Sequence, residues 1–164
     1  MNIPKFRTAR TAYKYALKNG KINAHGEKLI KNDGFYAYYY AENIIKGRWI
    51  EAEAAISKTI CPSYKYAKNI LKRRFIEAES TLCKDGYYAY NYAVDIIKDR
   101  WVEAEDVIKE EKCHARPYVR EVLIPNDSEE LHKEMSLKSF DYSDQIAKAY
   151  FELKNRLKTR IINE

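Results

Sequence analysis

Apolar positions in residues 36–108 follow a helical rhythm that restarts at a fixed interval. Ala37, Tyr40, Ala41, Ile44 and Ile45 fall at i, i+3, i+4, i+7 and i+8, one stripe along a helix. The last four members return as Tyr66, Ala67, Ile70 and Leu71, then as Tyr92, Ala93, Ile96 and Ile97. The small Ala41, Ala67 and Ala93 allow close helix approach. A polar turn follows each stripe, Lys46-Gly47-Arg48 in the first copy. A second helix then begins near Trp49 or Ile50 and ends about one turn after Ile56. Two helices in 26 residues leave roughly 8 to 12 residues each, too short to be stable alone in water. Neighbouring copies must supply the packing.

The whole phrase runs Tyr38 to Glu53, Tyr64 to Glu79 and Tyr90 to Glu105, each start 26 residues after the last. A fixed period of this length marks stacked repeats. The pattern predicts an all-α fold, a stack of short helix pairs with a 26-residue period, α-solenoid-like and capped by C-terminal helices. One domain is expected over 1–164, with a degenerate N-terminal repeat at 10–33, core repeats at 34–123 and capping helices at 124–164. Tyr13-Lys14-Tyr15-Ala16 carries the degenerate copy, and end repeats diverge because one side lacks a neighbour. Asp33 and Asp85, each before glycine, and Ser63 after Pro62 are expected helix N-caps. Tyr118, Val122 and Leu123 form a truncated further copy, with Pro117 suited to its first turn. Asp127 with Glu130 predicts a helix over about 128–138. Ile146, Tyr150, Leu153, Leu157 and Ile161 stripe a last helix, a lid or a dimer surface.

Composition narrows the function. At 164 residues the chain is long enough for a real core. Fifteen of its aromatic residues are Tyr, against five Phe and two Trp, and tyrosine suits half-buried seams or contact surfaces. No apolar run approaches a membrane span. The basic N-terminus lacks an apolar stretch, so no secretory signal is expected. Cys61, Cys83 and Cys113, odd in number and widely spaced, read as free thiols in a reducing compartment. Residues 1–37 hold 8 basic and 2 acidic groups, and residues 64–89 hold 6 and 3. The basic character therefore sits at the N-terminal end and in the second copy, where it can steer an acidic partner.

Three rows of repeated positions are candidates for function. Lys46 and Arg48, Lys72 and Arg74, Lys98 and Arg100 read either as phosphate contacts or as cations satisfied by the helix dipole and by Glu51, Glu53, Glu77, Glu79, Glu103 and Glu105. Arg73 is an extra cation where the matching positions hold Gly47 and Asp99. Trp49, Phe75 and Trp101 are expected to fill the gap between the two helices. Tyr38, Tyr64 and Tyr90 either seal the seam between copies or form an exposed strip, good interface chemistry. With Tyr36, Tyr39, Tyr87 and Tyr88 they are the candidate partner-binding residues. For a nucleic acid the candidates are Arg7, Arg10, Lys14, Lys18, Lys72, Arg73 and Arg74. His25, His114 and His132 are scattered, and four zinc ligands at workable spacing are missing. No metal, cofactor, phosphate loop, nucleophile elbow or other enzymatic constellation is expected.

The phrase Tyr-x-Tyr-Ala … Gly-Arg-Trp-x-Glu-Ala-Glu resembles the short tandem helical repeats of uncharacterised proteins from large tailed bacteriophages. The resemblance covers roughly residues 12–123. The middle copy departs at Arg73 and Phe75, the third at Asp99, and residues 124–164 show no resemblance. It implies a viral protein working in the host cytoplasm. The resulting expectation is a non-enzymatic protein-binding module, a counter-defence or host-takeover inhibitor whose partner is a host or phage protein. The alternative is a nucleic-acid-binding helical repeat protein.

Overall fold

The computed structural model describes residues 4–20, 22–123, 150 and 152. Among these, every regular element is helical and no strand occurs. The residues group into two compact units, one within Met1–Leu82 and one within Cys83–Glu164.

The first unit opens with α1 (Ala9–Asn19) and α2 (Ala24–Lys31). A capping box of Thr8 and Thr11 starts α1, and Gly20 ends it in the left-handed region at φ 73°. Next comes α3 (Gly34–Tyr40), which runs on as a π-helical turn over Ala41–Ile45. A 3-10 turn over Ile50–Ala52 then leads into α4 (Glu53–Ile56). The following copy is α5 (Ile60–Lys65), its π turn Tyr66–Leu71, and α6 (Ile76–Leu82). The α1 helix packs on α2 and α3, α3 on α4 and α5, and α5 on α6.

The second unit repeats the plan. Its elements are α7 (Gly86–Tyr92) with a π turn Ala93–Ile97, a 3-10 turn Val102–Ala104, α8 (Glu105–Glu110), and α9 (Lys112–Tyr118) with a π turn Val119–Leu123. The α7 helix packs on α8 and α9, and α8 on α9. First helices therefore start at Gly34, Ile60, Gly86 and Lys112, 26 residues apart.

The core is built where the apolar stripe predicts, with one correction. Tyr40, Ala41, Tyr66, Ala67, Tyr92 and Ala93 are buried, as are Trp49, Phe75 and Trp101. Each large ring packs on the stripe tyrosine of its own copy, at 5.1 Å for Tyr40–Trp49, 5.5 Å for Tyr66–Phe75 and 5.1 Å for Tyr92–Trp101. The isoleucines at the end of the stripe are only half-buried, and Ile45 is exposed. The π turn is the cause. Its i→i+5 bonding fits an extra residue into the turn, so later side chains rotate off the line set by the α segment.

Helix starts follow the repeat more than the local residues. Asp33 accepts from the Phe35 and Tyr36 amides and Asp85 from the Tyr88 amide, the two expected caps. Ser63 is not a cap. The α5 helix begins at Ile60, and Ser63 lies buried inside it, donating to the Ile56 carbonyl at 2.8 Å. Pro62 is tolerated because first-turn amides lack helical partners anyway. Pro117 is the sixth residue of α9, not in its first turn. The expected helix over 128–138 lies outside the described residues, as does the last helix except at two positions. Tyr150 and Glu152 are helical, and Tyr150 is buried.

Candidate protein-contact surfaces

The turn after each first helix has a backbone that the residue types conceal. Lys46, Lys72 and Lys98 adopt φ of 56°, 53° and 57°. This left-handed region normally belongs to glycine, and a side chain there costs about 1–2 kcal/mol. Gly47 is not the strained residue, and a Cβ added to it would meet nothing within 4 Å. That freedom explains why Arg73 and Asp99 can stand at the equivalent positions.

The arginines of this turn are taken. Arg48 forks onto Glu53 at 2.6 and 2.9 Å, Arg74 onto Glu79 at 2.8 and 2.7 Å, and Arg100 onto Glu105 in the same way. Each glutamate lies five residues on, in the first turn of the second helix, where negative charge is favoured. The Arg48 fork holds the Glu53 carboxyl below the usual carboxylate range, against the upward push of burial, and Tyr66 helps. Arg74, expected among the nucleic-acid contacts, is therefore neutralised. Lys46, Lys72 and Arg73 are exposed and form no ion pair among the described residues.

Two sets of tyrosine hydroxyls join successive copies inside each unit. Tyr66 accepts from the Trp49 amide at 2.8 Å and donates to Glu53 at 3.1 Å. Tyr118 accepts from the Trp101 amide at 2.9 Å. Burial pushes both hydroxyls up to about 12. In the second set, Asn43 Nδ2 donates to Tyr13 at 3.1 Å, Asn69 Nδ2 donates to Tyr38 at 2.9 Å, and Tyr90 donates to Glu121 at 2.9 Å. Tyr66→Phe is expected to cost about 1–3 kcal/mol, because it strands the buried Trp49 amide. Urea unfolding with an unchanged slope and a lower midpoint would check it.

The candidate partner-binding tyrosines separate accordingly. Tyr38 is withdrawn from any contact surface: its ring is buried, and its hydroxyl is held by Glu42 and Asn69. Tyr64 is half-buried, with the Lys68 ammonium 3.0 Å from its hydroxyl. Tyr36 and Tyr39 come together with Tyr13 and Phe35, ring centroids 4.9–6.4 Å apart. Lys65 lies over the Tyr39 ring at 5.8 Å. Phe35, at 45% exposure, is the accessible edge of this cluster. In the second unit, Tyr87 stacks edge-on against Tyr88 at 5.0 Å, and His114 sits between Tyr87 and Tyr90 at 5.2 and 5.1 Å. Tyr87 is 49% exposed, and the buried His114 Nδ1 has no hydrogen-bond partner among the described residues.

Sequence reasoning missed two features. One is an exposed β-branched residue at the start of each second helix: Ile50 at 64%, Ile76 at 60% and Val102 at 63%. Their signal was an apolar residue repeated between the turn and the first glutamate. The other is an open groove of about 530 Å³ in the first unit, lined by Glu42, Asn43, Lys46, Asn69, Ile70 and Lys72. Of the nucleic-acid candidates, Arg7, Arg10, Lys14 and Lys18 are exposed at the start of the chain, apart in sequence from Lys72 and Arg73.

Among the described residues, no three His, Cys, Asp or Glu side chains converge as metal ligands. Cys61, Cys83 and Cys113 are free thiols. None of the described helices is long and apolar enough to cross a membrane. No protein-family model, curated protein or solved structure matches the chain.

Proposed function

We propose that the 26-residue units stack as an α-solenoid-like array, capped by the C-terminal helices, and serve as a non-enzymatic protein-binding module. The hydroxyl bonds between adjacent copies within each unit support the stack. The resemblance to phage repeat proteins makes a counter-defence or host-takeover factor the natural role: it would bind and inhibit a host protein in the host cytoplasm. One observation carries the binding reading. Aromatic clusters with an exposed edge occur at equivalent positions of the two units, around Phe35 and around Tyr87. Rigid aromatic surface of this kind supplies contact area at low entropic cost.

Capture on the immobilised full chain from bacterial lysate, with and without nuclease, tests this. A specific protein is expected to be retained after nuclease treatment and lost with Phe35→Ser plus Tyr87→Ser. Retention of nucleic acid alone would refute the reading. Binding to nucleic acid is the second reading, favoured by the exposed Arg7, Arg10, Lys14 and Lys18, none of which forms an ion pair among the described residues. Its mark is affinity that falls steeply with salt.

A further inference from the structure

We infer that the groove between the first two turns receives an acidic peptide segment carrying aliphatic side chains. The inference rests on the protein-binding reading and supplies the chemistry of the partner.

The groove has three kinds of contact to offer. The first is charge. Lys46 and Lys72 share the lining with one carboxylate, Glu42, which already accepts from Tyr38 and from Asn69 at 3.1 Å. The second is hydrogen-bond acceptance. Both amide protons of Asn43 are used, on Tyr13 at 3.1 Å and on the Tyr39 carbonyl at 2.9 Å. Both amide protons of Asn69 are used as well, on Tyr38 at 2.9 Å and on Glu42 at 3.1 Å. A carbonyl and a carboxylate can only accept, so these amide orientations are set. Each side chain therefore keeps only its carbonyl oxygen for a ligand. The third is apolar surface, which Ile70 supplies in the lining of the groove.

A peptide matches all three: carboxylates for the ammoniums, backbone N–H for the carboxamide oxygens, aliphatic groups for Ile70. A DNA backbone matches the first alone, and an RNA backbone adds only its 2′-hydroxyl donors. Neither brings an aliphatic group, and the rings of these two turns, Trp49 and Phe75, are buried and closed to base stacking. Both groove lysines sit at helix C-caps in the left-handed region, φ 56° at Lys46 and 53° at Lys72, where glycine would be less strained.

Selection of short random peptides on the immobilised full chain, followed by solution affinities of the selected peptides, tests the proposal. Enrichment of Asp and Glu interspersed with Ile, Leu and Val is expected. The double variant Lys46→Gly/Lys72→Gly relieves strain, so it should melt no lower than the parent. It should nevertheless bind those peptides at least about tenfold more weakly, as loss of close charge pairs implies. Ile70→Ser should weaken them several-fold. Absence of any enrichment, selected peptides without acidic residues, or acidic peptides indifferent to both the lysine and the isoleucine variants would each overturn the groove. The last two outcomes would leave the broader protein-binding reading standing. No enrichment combined with tight, salt-sensitive capture of a labelled oligonucleotide would remove both.

Discussion

Phe75→Ala is expected to lower the stability of the chain by about 3–5 kcal/mol, the range for removing a buried aromatic ring. Domains of this kind are stable by about 5–15 kcal/mol in total, so the variant should sit close to unfolding at room temperature. Phe75 is 1% exposed, and its ring lies against Tyr66, whose hydroxyl in turn caps the Trp49 amide. The cavity would therefore loosen a packed ring and a hydrogen bond together. Trp101→Ala should behave similarly through Tyr92 in the second unit. Urea unfolding followed by circular dichroism measures both, with the exposed Ile76→Ser as the surface control, expected within about 0.5 kcal/mol. A loss below about 1 kcal/mol for Phe75→Ala would show that this ring does not hold the helix pair together.

Gly34→Ala is the second large effect, and it acts through space instead of backbone torsion. Gly34 opens α3, and a methyl group there would overlap the Ala55 carbonyl oxygen and the Thr59 hydroxyl. A carbonyl cannot swing away as a flexible side chain does. The α3 helix would have to separate from α4, at a cost of about 1–3 kcal/mol or more. Gly86 sits in the same way at the start of α7, where a methyl would come within 2.6 Å of the Val107 carbonyl oxygen. Gly47→Ala is the counter-case: nothing lies within 4 Å and no left-handed torsion is involved, so little change is expected. Thermal melting of the three variants side by side checks the contrast. Equal melting temperatures for Gly34→Ala and Gly47→Ala would mean that the helices do not approach as closely as described.

Much of the local plan was legible along the chain because it depends on spacing alone. The 26-residue interval, the burial of Trp49, Phe75 and Trp101, the Arg-to-Glu pairing and the Asp33 and Asp85 caps all follow from helical geometry and short-range charge. The truncated copy was legible too: Tyr118, Val122 and Leu123 are buried. The surfaces were less legible. Tyr38 and Tyr36 look alike in sequence, yet Tyr38 is buried and Tyr36 joins a half-open ring cluster. An α-helical wheel also misplaces Ile45, because it assumes that the turn keeps its α pitch.

Order along the chain thus determined that residues 34–123 form short helices, and which residue types recur in each. It could not determine which side chains remain available to a partner. That depends on contacts between copies: a hydroxyl of one copy meets an amide of the next, as Tyr38 meets Asn69 across 31 residues. It depends as well on turns that close one residue wider than an α-helix and force lysine into a left-handed torsion. Helical periodicity encodes direction within one helix. Accessibility is set only when a second helix lies against the first.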